Sequence, residues 1–294
     1  MTFLLIGGNG QVGHELRRSL ASSGDVVVTT RSGELPDGVR CEVADFDQPE
    51  GLADLVERVA PTVVVNAAAY TAVDKAEDDA DAAFRANAQA PGVLARACAA
   101  RGIPFVHYST DYVFDGQGSR PYREGDPTAP LGVYGATKLA GEEAIRAAGG
   151  RHLILRTAWV YGRHGHNFMK TMLRLGADRD ELRVVADQVG TPTPAGLIAD
   201  TTRDLLRLQD VEGTFHLTAG GQTSWHGFAE AIFDEAKKRA LIERAPVVLP
   251  ITTAEYPTRA RRPAYSCLDV GKLEAVLGRT LPDWRMALQR VLEN

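Results

Sequence analysis

Phe3-Leu4-Leu5-Ile6-Gly7-Gly8-Asn9-Gly10-Gln11-Val12-Gly13 opens the chain and decides its fold. A short apolar run closed by glycine reads as a buried strand. Gly7, Gly10 and Gly13 follow in G-x-x-G-x-x-G spacing, and Val12, Leu16 and Leu20 then set an apolar stripe at helical period. Strand, glycine turn and helix N-terminus together make a pyrophosphate site. The glycines let the backbone come close, and free N–H groups point at the anion. Gly7, Gly10, Gln11, Val12 and Gly13 are therefore candidate cofactor contacts. Glycine turns also serve tight packing alone; the position at the start of an α/β chain favours a dinucleotide.

The next strands extend this reading. Asp25 to Arg31 is a second strand, and a NAD-binding fold usually ends it with an acid for the ribose 2′-OH. Thr30, Arg31 and Ser32 stand there instead. A cation and hydroxyls suit a 2′-phosphate, so NADPH is expected, with NADH a second acceptable cofactor; a solvated Arg31 is the competing reading. A short extended segment ends at Asp45-Phe46, a pair suited to an adenine, although Asp45 could equally cap a helix near Gln48. Pro61 to Ala69 is another buried strand, and the small Ala67, Ala68 and Ala69 at its end leave room for a flat cofactor. Lys75 to Ala100 reads as one long amphipathic helix with Asn87 buried in it. Ile103 to Tyr108 leads into Ser109-Thr110-Asp111-Tyr112, where open α/β sheets place ligands. His107 in that strand reads as a satisfied core histidine.

After a Gly- and Pro-rich loop comes Tyr134-Gly135-Ala136-Thr137-Lys138. On a helix the phenol and the ammonium lie one turn apart on one face. A phenol is a poor acid at neutral pH, and an ammonium beside it pulls its pKa down. The same spacing is common on ordinary surface helices. His152 to Thr157 is one more strand. Beyond residue 160 the alternation loosens: helices are expected at Phe168 to Leu175, Ala195 to Leu208, Trp225 to Arg239 and after Pro282, with a short strand from Gly213. Arg259, Arg261 and Arg262 could grip a phosphate or sit in a solvated loop.

Composition narrows the class. The chain has 294 residues, 44% hydrophobic and 24% charged, the balance of a globular enzyme. A net charge of -5 argues against a nucleic-acid binder working by general electrostatics. Cys41, Cys98 and Cys267 are scattered, so neither a disulfide framework nor metal-ligand spacing is present, and the seven His show no metal pattern either. No apolar run reaches membrane-spanning length, and the N-terminus lacks a signal pattern. A soluble cytoplasmic protein is expected.

Gly7-x-x-Gly10-x-x-Gly13, Ser109-Thr110-Asp111 and Tyr134-x-x-x-Lys138 stand in one chain in that order. The combination resembles the extended short-chain dehydrogenase/reductase family. Longer stretches resemble its members that reduce the C4 ketone of a dTDP-sugar in dTDP-rhamnose synthesis: Asn66 to Glu77, Ser109 to Gly116, Ala129 to Glu142, Arg156 to Gly162 and Asp187 to Thr193. The resemblance covers essentially the whole chain. It implies an α/β fold: a Rossmann-like doubly wound parallel sheet with a smaller, mostly C-terminal α/β substrate domain. The first would span 1–160, with part of about 195–218 returning to it, and the second mainly 161–294.

By motif match Thr110, Tyr134 and Lys138 are its catalytic triad, and Asp45 and Phe46 its adenine contacts. Asp111, Tyr112, Trp159, Asn167 and Arg262 fall on its sugar-nucleotide side, with Thr71 and Val73 near the same cleft. Lys138 would keep the Tyr134 pKa low and hold the nicotinamide ribose, while Thr110 gives the ketone oxygen a second hydrogen bond. A core aromatic is the other reading of Trp159. Some members bind Mg2+ at a dimer contact; nothing in this sequence asserts that site. The expected species is a monomer or homodimer. Another nucleotide-sugar 4-ketoreductase, a nucleotide-sugar dehydratase or epimerase, and a non-catalytic regulatory relative are the alternatives.

Overall fold

The computed structural model describes residues 1–208 and 210–293. Among these, seven strands form one sheet: β1 (Thr2–Ile6), β2 (Asp25–Thr30), β3 (Glu42–Val43), β4 (Val63–Asn66), β5 (Phe105–Thr110), β6 (His152–Thr157) and β7 (Gly213–His216). Their order is β7-β6-β5-β4-β1-β2-β3, and each neighbouring pair is parallel. Parallel pairing requires crossovers. Helices α1 (Gln11–Leu20), α2 (Leu52–Val59), α3 (Ala90–Ala99), α4 (Val133–Ala147) and α5 (Ala195–Leu206) cover the two faces.

The apolar runs are unbroken because both faces are buried. Phe3 and Leu5 pack with Leu16, Leu20 and Ile198 on one side, while Leu4 and Ile6 pack with Leu55, Leu94 and Ile145 on the other. Strand order reverses between β1 and β4, so a crevice opens at their carboxyl ends. Gly7 follows one of these strands and Ala67 the other.

The single helix expected from Lys75 to Ala100 is broken. Val73–Ala76 and Ala80–Phe84 are separate turns, a π turn spans Arg85–Gln89, and α3 follows. Pro91 has no N–H to close a bond to the Asn87 carbonyl, and the helix widens just ahead of it. Asn87 is fully buried, as expected. Its Oδ1 accepts Tyr70 N–H at 2.9 Å, and its Nδ2 donates to the Tyr70 carbonyl and to Thr137 Oγ1. The third extended segment stops at Val43 rather than Phe46. Asp45 caps no helix; its Oδ1 accepts Asp47 N–H at 3.0 Å, and Gln48 occupies the cap position.

Past residue 160 a third core gathers Tyr161, Met172, Leu182, Phe228, Phe233 and Trp284. Helices Phe168–Asp178, Trp225–Lys238 and Trp284–Glu293 lie where expected. The parallel pair Glu181–Val185 with Val247–Ile251 and the helix Gly271–Leu277 were not expected. Charge at Glu181 and Arg183, and Pro250 in the partner, mask that pair in the sequence. β7 pairs with β6, and Ile198, Ala199 and Leu205 of α5 pack on Leu16 and Leu20, so both elements lie with the large sheet. Among the described residues no helix is long and apolar enough to cross a membrane.

Candidate active site

β5 ends at Thr110, and the chain turns at once through Asp111–Val113. Thr110 caps that turn: its Oγ1 accepts Tyr112 N–H at 3.2 Å and donates to Asp111 Oδ1 at 3.0 Å. Its one hydroxyl proton is therefore engaged with Asp111, and donation to a substrate oxygen requires the rotor to swing away. Asp111 is 2% exposed and its Oδ2 lacks a hydrogen-bond partner. Burial pushes its carboxyl up to about 6, against the Ser266 and Thr110 hydroxyls.

α4 carries the other two triad residues. Gly132 at its start supplies no capping side chain, and Glu77 Oε1 accepts Val133 N–H at 2.9 Å instead. A carboxylate there also complements the positive end of the helix. The helix rests directly on the turn after β5: a Cβ on Gly135 would lie 2.2 Å from the Tyr112 carbonyl oxygen. Tyr112 and Tyr134 meet edge to face with centroids 5.5 Å apart.

Lys138, one turn on, is 2% exposed. Its Nζ donates to the Tyr108 carbonyl at 2.6 Å and lies 3.1 Å from His107 Nε2. Burial lowers its pKa to about 8, with Glu142 pulling the other way. The expectation that Lys138 holds the phenol pKa down is not met here. Burial pushes Tyr134 up to about 12, the Thr110 hydroxyl opposes this, and Asp111 adds to it. The reason is direction: the ammonium points at β5, into His107 and Tyr108. A phenol raised in this way stays protonated at neutral pH, which a proton donor requires.

A further turn along, Glu142 is fully buried and gripped by Arg156 of β6. Nε donates to Oε1 at 2.8 Å and Nη2 to Oε2 at 2.7 Å, with Arg146 on the same oxygen. Tyr134, Lys138 and Glu142 thus line one face of α4. The i, i+4, i+8 spacing was visible in the sequence, but Glu142, its partner Arg156 and the capping Glu77 were not recognised there. His107 is the satisfied core histidine expected; that its partner is Lys138 was not foreseen.

The crevice at the strand reversal fits a dinucleotide. Gly7 has φ +82°, and a Cβ there would lie 2.8 Å from Ala68 N; on Gly13 it would lie 2.0 Å from the Gly7 oxygen. Only glycine permits this closeness. Gly7, Thr30, Arg31, Asp45, Phe46, Ala68 and Ala69 border a cavity of about 490 Å³ beside the turn. Val12 and Ala67 pack toward the core. Gln11 Oε1 accepts from Asn167 Nδ2 at 2.9 Å, so Asn167 lies against the glycine turn while its Oδ1 caps the next helix. Arg31 is exposed and pairs with Asp47 and, at 3.7 Å, with Asp45.

On the other side of the cleft, Thr71 is exposed and Val73 begins a short helix. Arg262 forks Asp74, with Nη2 to Oδ2 at 2.7 Å and Nη1 to Oδ1 at 3.1 Å. These bonds hold the Asp74 carboxyl below its usual range, against burial. Arg259 pairs with Asp78, and Arg261 is exposed, so the arginine cluster divides. Trp159 has φ +46° and stacks on Trp225 with centroids 3.5 Å apart. A Cβ on Gly190 would overlap the indole, so its stacking partners in this structure are protein. Among the described residues no group of His, Cys, Asp and Glu is placed to hold a metal ion.

A parallel sheet with a glycine turn at its reversal point, and a Thr, Tyr and Lys gathered beside it, defines an oxidoreductase of the short-chain dehydrogenase/reductase class. The chain belongs to the family described as the RmlD substrate binding domain, whose model matches residues 1–294. It is 50% identical over 300 residues to the dTDP-4-dehydrorhamnose reductase of Burkholderia thailandensis, covering 98% of this chain and 97% of that one. A crystal structure of a dTDP-4-dehydrorhamnose reductase from Clostridium acetobutylicum matches with TM-score 0.90 and 38% identity, over 100% of this chain and 99% of that one. The enzyme of that name from Bacillus anthracis, in complex with NADP, matches with TM-score 0.90 and 33% identity over 99% and 98%.

Proposed function

We propose that this chain reduces the C4 ketone of dTDP-4-dehydro-L-rhamnose with NADPH, giving dTDP-L-rhamnose. The observation that carries the reading is the gathering of the Thr110 hydroxyl, the Tyr134 phenol and Lys138 at the carboxyl end of β5, beside the glycine turn. The names and full-length coverage of the relatives set the substrate.

Gly7, Gly10, Gln11, Val12 and Gly13 would hold the pyrophosphate, with Asp45 and Phe46 at the adenine and Arg31 at the 2′-phosphate. Bound NADPH supplies the hydride. The chain's own part is to position the ketone and neutralise the charge growing on its oxygen. Tyr134, kept protonated by burial, gives its proton to that oxygen. Thr110, released from Asp111, offers a second hydrogen bond. Lys138, one turn along α4 from Tyr134, is the cation of the site and on this reading meets the nicotinamide ribose. Asp111, Tyr112, Asn167 and Arg262, with Thr71 and Val73, surround the sugar nucleotide. The protein works as a monomer or homodimer in the cytoplasm, a placement that its three unpaired thiols support.

Tyr112 argues for reduction over dehydration. Removing water across C5 and C6 needs a base beside the acid, and a phenol following Asp111 cannot serve as one at neutral pH. Mixing the protein with dTDP-4-dehydro-L-rhamnose and NADPH should consume the two in equal amounts. A 4-keto-6-deoxy sugar formed from dTDP-glucose with catalytic NAD+ would overturn the assignment.

A further inference from the structure

His107 is a buried group that the mechanism above leaves unused. It is 1% exposed and stands opposite Asn66 in the register of β5 on β4. Two links meet at it, and a third fixes their direction. Asn66 Oδ1 accepts Ala68 N–H at 3.1 Å, Asn66 Nδ2 faces His107 Nδ1 at 3.0 Å, and His107 Nε2 faces Lys138 Nζ at 3.1 Å.

The first link fixes the rest. A backbone N–H can only donate, so the Asn66 oxygen must face Ala68 and its NH2 must face His107. His107 Nδ1 therefore accepts. A neutral imidazole carries its one proton on the other nitrogen, so Nε2–H points at Lys138. An N–H directed at an ammonium sets two donors face to face; directed at a neutral amine, it meets a lone pair. Charging Lys138 thus asks His107 to move its proton to Nδ1, against the Asn66 NH2. Otherwise Asn66 must turn and leave Ala68 N–H unpaired.

We propose that Asn66 and His107 are positioning residues that set how tightly Lys138 holds its proton. The proposal rests on the reading that Lys138 serves the ketone reduction. The direction of the shifts agrees: burial, then the Lys138 charge, depresses His107 well below the usual imidazole range, and burial depresses Lys138. Other groups around Lys138 do not supply this effect. Glu142, on the same helix, favours the ammonium and is balanced by Arg156 from β6. Tyr134 stays neutral, Tyr108 turns its hydroxyl to Thr202, and Asp111 and Glu77 lie at the amino end of α4, on Thr110 and Val133. Ala68, the first link, borders the crevice beside Gly7, so the wire begins in the cofactor's cradle.

The test compares pH profiles of kcat/KM, and of NADPH binding by fluorescence, for the parent chain, Asn66→Asp and His107→Phe, each with a thermal melt. An aspartate at 66 accepts from both Ala68 and His107, reverses the imidazole tautomer and makes Nε2 an acceptor for the ammonium. Phenylalanine at 107 removes the facing N–H. The parent should lose activity as pH rises through about 8, where Lys138 gives up its proton. Both variants should move that alkaline limb upward by about one pH unit. A limb that stays in place in folded Asn66→Asp overturns the proposal, and that variant alone decides it if His107→Phe fails to fold. A parent that never reduces the keto sugar defeats the functional reading instead, and the pH dependence of NADPH binding then still reads the wire.

Discussion

Two arginine–carboxylate forks brace the site, alike in chemistry and opposite in setting. Under α4, the side chains of Arg156 and Glu142 are 3% and 0% exposed; at the rim, those of Arg262 and Asp74 are 21% and 43% exposed. Removing one partner from a buried pair strands a charge away from water, whereas an exposed pair can part at little cost. The inner fork therefore behaves as a strut that fixes the helix carrying Tyr134 and Lys138. The outer one is a guanidinium at the rim, and on the function proposed above it leaves Asp74 for the anionic sugar nucleotide.

The strongest way to break this contrast is Arg156→Met. It should cost about 3–5 kcal/mol in chemical denaturation, because Glu142 is left charged and buried. Arg262→Ala should cost under about 1 kcal/mol in the same measurement. Equal losses would abolish the distinction. The strut also has a pH signature. Burial pushes Glu142 up, but the Arg156 bonds outweigh it, and its folded pKa lies below 4.5. Its contribution is then complete above that value and lost as pH falls through the lowered folded pKa. The acid limb of stability should flatten in Glu142→Gln.

Tyr134→Phe separates chemistry from bracing. Turnover should fall roughly 100-fold or more, as for loss of a positioned acid, while the melting temperature and NADPH affinity hold. Near-normal turnover would remove Tyr134 from the role of acid. Smaller again, Arg262→Ala should raise KM for the sugar nucleotide about tenfold with kcat little changed, the mark of lost uniform binding. Smallest is Arg31→Ala, which should raise the NADPH KM about threefold and leave NADH untouched, since the exposed Arg31 is already shared with Asp47 and Asp45. Equal weakening of both cofactors would make Arg31 a surface residue only.

What could be read from the sequence follows the same division between buried regularity and local detail. The strands of the large sheet announce themselves because both faces are apolar, and Gly7 and Gly13 because nothing but glycine fits. The pair Glu181–Val185 and Val247–Ile251 was hidden because one strand carries charge and the other a proline. Among site residues, Thr110, Tyr134 and Lys138 were named on the family resemblance that their motifs carry, since the Tyr–Lys spacing alone is common. Their electrostatics could not, since these depend on where Lys138 Nζ points, and that is set by His107 and Tyr108 on another element. Trp159 was offered two readings, and its contact with Trp225 shows why composition could not choose: stacking needs a partner that lies far off in sequence.

The wide turn at Arg85–Gln89 has a consequence for how this chain can change length. An α-helix advances about 100° per residue, so one residue more or less re-phases everything beyond it. Here the extra residue aims Asn87 at the Tyr70 backbone and Thr137 while α3 keeps its own apolar face on the sheet. Deleting a single position between 85 and 89 would set Pro91 against a regular helical turn that it cannot complete, and would leave the Asn87 amide misaimed. This segment tolerates exchange of letters more readily than loss of one, because what it stores is an angle.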